Sequence, residues 1–363
     1  MGIDTHIENR TPFDLKLHVQ MDADGQEVTV LMLSASFTAD PSGRLSVAEA
    51  QLPVTYADIP RGDPARSSLC HDADIAPRKP VPEVILNASA YAPQGRPAGR
   101  VDVGLQLGGV RKMLAVTGDR LRAAGGLSDP QPFVTMPLIW ERAFGGTAGQ
   151  GAVVEQRNPV GVGLAGSRSA DAAVLTEVPN ITRPAEIATR PDQRPEPVGF
   201  GVVARGWRPR LDFAGTHDDG WLANQWPLPP RDLDPRHHQA APADQQSPSI
   251  RPGAVAVLVN MTPEGRWEFR LPRLTAPLRL LHDDRAEEAG FAPDTVVIEP
   301  DLRRITLKAR MAFVTDLRAP RLREILYGHV SPVLLSARLK RKGYLDPLGG
   351  DGTRRLQPVW EEA

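Results

Sequence analysis

From residue 13 the chain alternates, with Phe13, Leu15, Leu17, Val19 and Met21 apolar and Asp14, Lys16, His18 and Gln20 polar between them. A period of two predicts a half-buried strand. Asp24-Gly25 then turns the chain. Residues 28–38 are apolar on both parities around Val30, Leu31, Met32 and Leu33, the pattern of a central strand covered on both faces. A second hairpin is predicted over 100–117, where Val101, Val103, Leu105 and Leu107 alternate before Gly108-Gly109. Residues 254–260 and 267–271 flank the turn Pro263-Glu264-Gly265, and 295–299 and 304–313 flank Pro300-Asp301. In the last of these strands Ile305, Leu307, Ala309, Met311 and Phe313 alternate with Arg304, Thr306, Lys308 and Arg310, which predicts one apolar and one polar face.

Helical spacing is confined to the C-terminal third. A short helix is expected over 284–289, stopped by Gly290. Leu322, Ile325 and Leu326 follow Pro320 at the i, i+3, i+4 spacing of a second helix ending at Gly328. A third starts with Ser331 as N-cap and Pro332 at its first position, and carries Arg338, Lys340, Arg341 and Lys342 toward its end before Gly343. Those cations lie near Glu324, Asp346 and Asp351 with no aromatics between them, so they read as a solvated helix end, not a nucleic-acid site. Elsewhere, 53–82 is polar and proline-rich, which predicts an ordered surface loop. Periodicity also fades over 147–252, yet Phe200, Trp207, Phe213, Trp221, Leu222 and Trp226 are too apolar for disorder. Long loops packed over the sheets are expected there.

The fold class implied is mainly β, with antiparallel sheets, long packed Pro/Gly-rich loops and a short helical C-terminal segment. Residues 1–315 would form the β-rich domain, alternatively two sub-domains meeting in 147–252, and 316–363 the helical segment. The 36 prolines and 32 glycines among 363 residues agree with many turns and short strands. A net charge of −1 gives no reason to expect a nucleic-acid partner. The single Cys70 excludes an intramolecular disulfide, and neither a leader-like N-terminus nor an apolar run near ~20 residues is present. A cytoplasmic protein without membrane insertion is therefore expected.

Candidate chemistry is sparse. Cys70 and His71 are adjacent, and neighbours in an extended segment point to opposite faces, so they do not form a nucleophile and base. Gly161, Gly163 and Gly166 match the dinucleotide fingerprint as a string, but Asn158-Pro159 precedes them where a strand should end. His217, Asp218, Asp219, His237 and His238 offer ligand and acid–base types without a metal-site spacing. In Gly215-Thr-His-Asp-Asp-Gly-Trp-Leu222, Thr216 and Asp218 are suited to bonding backbone amides in a turn, and Trp221 to anchoring the loop. No catalytic residue, metal or cofactor is expected.

Residues 128–146, SDPQPFVTMPLIWERAFGG, concentrate aromatics that make up only 5% of the chain. Such residues dominate both cores and interfaces. Met136, Pro137, Trp140 and Phe144 are expected as the core of this motif. Phe133, braced by prolines, and Arg142, with its charged fork, are expected at least partly as protein-binding residues, together with Trp207 and Trp221 in the loops.

This stretch, followed by Asn158-Pro159-Val160-Gly161, then Val178-Pro-Asn-Ile-Thr182 and then 215–222, resembles a bacterial family long described only as a domain of unknown function. The resemblance runs from about residue 13 to 313. Members of that family are associated with type VI secretion, as adaptors or chaperones that load a toxic effector, often through a PAAR-like segment, onto the spike protein VgrG. The resemblance therefore implies a non-enzymatic adaptor whose partners are an effector and VgrG. The chain departs from the family pattern at Leu121-Arg122 and Ala309, where tryptophan is usual, and at Glu83 and Asn87. Two alternatives stand beside this reading: a β-rich hydrolase using His217 and Asp218, and a carbohydrate- or peptide-binding β module sharing the aromatic loops.

Overall fold

The computed structural model describes residues 5–123, 126–149, 151–165, 176–314, 320–342 and 359–361. The long alternating and doubly apolar runs meet in a first sheet ordered Asp14–Met21, Glu27–Ala39, Arg304–Val314, Pro293–Glu299 and Glu83–Leu86, with Leu45–Val47 also paired to Glu27–Ala39. Its pairings are antiparallel except the last, where Thr295 faces Glu83 in a parallel register. Glu27–Ala39 is apolar on both parities because both of its faces are covered. Val28, Val30 and Met32 pack with Val54 on one side, while Leu31, Leu33, Ala35 and Phe37 enter the main core on the other.

The second sheet is antiparallel and ordered Ile181–Thr182, Val110–Thr117, Arg100–Leu107, Val255–Val259 and Arg266–Arg270. Its outer strand Arg266–Arg270 alternates buried Trp267 and Phe269 with exposed Arg266, Glu268 and Arg270, a charged edge of the kind that discourages further pairing. A third sheet runs His6–Asn9, Leu322–Tyr327, Leu278–His282 and Ala286–Ala289, its first pairing parallel. One core cluster joins all three, from Leu31 and Phe37 through Val103, Leu107 and Trp267 to Leu278, Ile325 and Tyr327.

The protein is β-rich, and the described residues hold two α-helices, Asp219–Asn224 and Pro332–Leu339. Ser331 caps the second, its Oγ accepting from the Leu334 amide at 3.1 Å; Gly343 lies outside the described residues. The helices expected over 284–289 and 320–328 are strands instead, Ala286–Ala289 and Leu322–Tyr327. Because Ile325 and Tyr327 lie in the shared core, a division at residue 315 does not separate two bodies. The segment 53–82 is not wholly a surface loop, since His71, Asp72, Ala73 and Asp74 are buried. The polar face of Arg304–Val314 is also interior, with Thr306 and Lys308 covered. Between 147 and 252 the described residues are laid down in short strands, 3₁₀ turns and the helix Asp219–Asn224. No helix among the described residues is long and apolar enough to cross a membrane.

Candidate protein-binding surface

Residues 128–146 divide into an outer and an inner half. Thr135–Pro137 pairs antiparallel with Ser89–Tyr91, so Met136 points inward while Thr135 and Pro137 face out. Pro137 is thus exposed, unlike the motif neighbours with which its sequence position groups it. Phe133 is half-buried, its backbone bridged to Ala98 in both directions at 3.0 Å, and Val134 beside it is exposed. Further on, a 3₁₀ turn, Trp140–Arg142, sends Trp140 into the core against Trp207, their rings perpendicular with centroids 6.0 Å apart. Gly199 makes room for Trp140, because a Cβ there would stand 3.0 Å from the indole.

The accompanying motifs hold this turn in place. Asn158 is buried and donates its amide to the carbonyls of Trp140 (2.8 Å) and Phe144 (3.0 Å). Phe144 is buried on Phe144–Gly145, which pairs parallel with Val162–Gly163. The glycine string 161–166 therefore begins as a strand braced by Asn158, and its Gly166 lies outside the described residues. Asn180 donates to the Thr117 carbonyl and to Asp119, both at 2.9 Å. Arg142, half-buried, reaches exposed Asp119 at Oδ1 (2.9 Å) and Asn180 at Oδ1 (3.1 Å). Its guanidinium is engaged within the chain.

The loop 215–222 is built from local bonds. Asp218 caps Asp219–Asn224 by accepting from the Trp221 amide at 2.8 Å. Thr216 donates its amide and hydroxyl to Asp232, at 3.0 and 2.7 Å, in place of the backbone contacts expected of it. The His217 ring stacks edge-on against Trp221 at 4.6 Å, and Trp221 Nε1 donates to the Leu228 carbonyl at 3.0 Å. His217 and Asp218 are thus each occupied in shaping the loop. Gln225 donates to the Ala23 carbonyl at 2.6 Å, seating the helix on the turn between the first two strands of the first sheet. Leu222 and Trp226 remain exposed, Trp226 by 63%. Of the four residues expected to bind a partner, Trp207 is buried, Phe133 and Trp221 are half-buried beside more exposed apolar neighbours, and Arg142 is half-buried and ion-paired with Asp119.

A buried ion network was not foreseen. Asp72 meets Arg210 at 2.9 Å and Arg205 at 3.5 Å. Asp74 meets Lys308 at 2.8 Å and Arg310 at 3.1 Å, and Arg310 also grips Asp294. Glu83, paired with Lys79, accepts from Gln239 Nε2 at 3.0 Å and the Ala241 amide at 2.9 Å. Burial pushes the Asp72 and Asp74 carboxyls up, but the surrounding cations outweigh it and hold both pKa values below the ordinary range. Burial lowers His71 and His238 to about 4 and raises the Cys70 thiol, which leaves Cys70 a poor nucleophile at neutral pH. The void among Cys70, Asp74, Lys79 and Lys308 has room for about one water. Each carboxylate is neutralised and hydrogen-bonded, so this network can act as a clamp between the 69–74 segment, the first sheet and the loops over it. The signal available in the sequence was the pair Asp72 and Asp74 in an otherwise loop-like run.

His6, Glu8 and Glu324 also bring three ligand atoms within 4.8 Å of one another. Arg338 already stands 3.1 Å from Glu8 and 3.5 Å from Glu324, supplying the charge a cation would.

The model of a family described as an uncharacterized protein conserved in bacteria (DUF2169) matches residues 24–310. The chain belongs to this family. No curated protein and no solved structure matches the chain. The DUF2169 match takes in residues 128–146, the ion network and the 215–222 loop. It leaves the strand Leu322–Tyr327, the helix Pro332–Leu339 and residues 359–361 outside.

Proposed function

We propose that this DUF2169 protein is a non-enzymatic adaptor of type VI secretion, which binds an effector through its PAAR-like or N-terminal segment, covers it, and delivers it to the VgrG spike. The observation that carries the reading is a pair of exposed apolar patches at opposite ends of the first sheet. At one end Leu222 sits on the helix seated against Ala23 and Trp226 just past its C-terminus, and Met21 and Val314 are exposed at the ends of their strands. At the other end Asp301 accepts from Tyr91 (2.7 Å) and Ser89 (2.9 Å), which sets exposed Leu302 beside the strand pair bearing Pro137, next to Val134. The strand Glu27–Ala39 that connects the two ends has 13 residues, roughly 40 Å at about 3.3 Å per residue. Large apolar side chains held on rigid supports are the composition of interface anchors, and two patches so far apart can be engaged by different partners without collision. That partners are a secreted effector and its spike follows from the family resemblance, not from the patches.

The test is co-purification. The tagged chain, co-expressed with an effector and a VgrG encoded in neighbouring reading frames, is expected to retain both, and to keep the effector soluble. Capture of neither, from frames that encode both, sinks the adaptor reading. Turnover of a substrate that is lost in His217→Ala while the fold survives would favour the hydrolase instead.

A further inference from the structure

Residues 359–361 return to the body of the protein after the C-terminal helix. Trp360 and Glu361 pair antiparallel with Leu274 and Arg273. The Val359 carbonyl accepts from the amides of Thr275 at 2.9 Å and Ala276 at 3.1 Å. The Trp360 ring lies edge-on to Phe37, with centroids 5.2 Å apart, and Phe37 in turn meets Phe13 at 5.5 Å. Glu361 reaches Arg273 at 3.2 Å. A backbone ladder, an aromatic recess and a cation placed one residue further on are together the elements of a strand-addition site.

We propose that residues 273–276, with the recess over Phe37, form a docking groove for an extended segment of a partner protein that carries an aromatic residue followed by an acidic one, and that residues 359–361 are its intramolecular occupant. The tail itself displays the chemistry the groove accepts. Its hold is slight: the strand is two residues long, Val359 and Trp360 are only half-buried, and the Arg273–Glu361 pair is exposed on both sides. Exposed pairs contribute little, and segments with few buried contacts open far below the global unfolding free energy. Phe37 and Arg273–Leu274 lie within the residues shared with the family model, whereas the tail lies outside them. The groove therefore lies within the matched region, and the segment that fills it lies beyond that region. Seated, the tail keeps the groove closed to weak competitors. A partner segment of matching chemistry displaces it. This goes beyond the two end patches, and its test needs neither effector nor spike.

The probe is a fluorescein-labelled peptide of residues 354–363, titrated by anisotropy into the full chain and into full-length Trp360→Ala. A tethered segment acts at an effective concentration on the order of millimolar, so the parent is expected to bind the peptide at least about tenfold more weakly than the variant. A peptide carrying the same Trp360→Ala change is expected not to bind either chain. Equal binding to both chains, or none to a folded variant, overturns the proposal. Should Trp360→Ala melt early, hydrogen exchange in the parent decides. The Thr275 and Ala276 amides must exchange much faster than those of Leu278–His282, and equal protection sinks the displaceable tail. A dimer of the parent that Trp360→Ala abolishes would assign the groove to the tail of a second copy and overturn the intramolecular assignment.

Discussion

Asp74 is buried between Lys308 and Arg310, so removing the carboxylate strands the Lys308 ammonium away from water and leaves Arg310 with Asp294 as its carboxylate partner. Breaking a buried pair this way costs about 3–5 kcal/mol. Asp74→Ala is expected to lose stability of that order in urea unfolding, with Lys308→Met the milder change because Asp74 keeps Arg310. The pH dependence follows from the same burial. His71 and His238 are held to about 4 in the folded chain against an ordinary 6.5, so between those values the unfolded chain binds more protons and stability falls as pH falls. The depressed Asp72 and Asp74 contribute in full above the ordinary aspartate value and lose their contribution below it, as pH descends toward their folded pKa values. The thermal midpoint is therefore expected to be highest above pH 6.5 and to decline first through the histidine window, and His71→Gln with His238→Gln should flatten that first decline. None of this was legible residue by residue. Asp74 and Lys308 are 234 positions apart, and a charged residue in a polar run reads as solvated until the loop that covers it is seen. Trp207 is a similar case, since cores and interfaces draw on the same aromatic types.

Alternation and flanking turns identified the long strands of the first two sheets because one or both of their faces are apolar, while the short strands Leu45–Val47, Glu83–Leu86 and Ile181–Thr182 carried no such signal. It failed at Leu322–Tyr327, where Leu322, Ile325 and Leu326 satisfy a helical spacing by chance. A short strand packed on both sides shows no period of two, and this one lies between His6–Asn9 and Leu278–His282 in the third sheet. Ala286–Ala289 failed for the opposite reason. It is an edge strand with exposed Glu287 and Glu288, and glutamate favours helix when only local preference is consulted. Ser331 and Pro332, by contrast, marked their helix start correctly, because capping chemistry is local. The consequence for truncation is definite. Deleting residues 320–363 removes Ile325 and Tyr327 from the core, takes away the partner strand of His6–Asn9, and leaves Leu278–His282 paired with Ala286–Ala289 alone. Such a chain is expected in the insoluble fraction, and a soluble, cooperatively melting product would show that the third sheet is dispensable.

At the scale of the whole molecule, the mainly antiparallel β class was readable from composition and period, while the placement of exposed apolar groups was not. It depends on which ends of which strands the loops leave open. Trp226 and Leu302, exposed by 63% and 60%, lie at opposite ends of the first sheet, so the adaptor reading makes their substitutions separable. Trp226→Ala and Leu302→Asp remove little buried area, and each should melt within about 0.5 kcal/mol of the parent. A hot-spot anchor truncated at an interface costs about 2 kcal/mol or more of binding, close to 30-fold in affinity. Each variant is therefore expected to lose one partner in co-purification while retaining the other, and the double variant to lose both with nearly additive effects, as sites this far apart should. If either substitution releases both partners without altering the melting curve, the two ends are not separate docking surfaces, and a single composite interface must be sought along the sheet between them. If neither substitution weakens capture, the exposed apolar ends are bystanders, and the half-buried Phe133 and Trp221 become the next positions to replace.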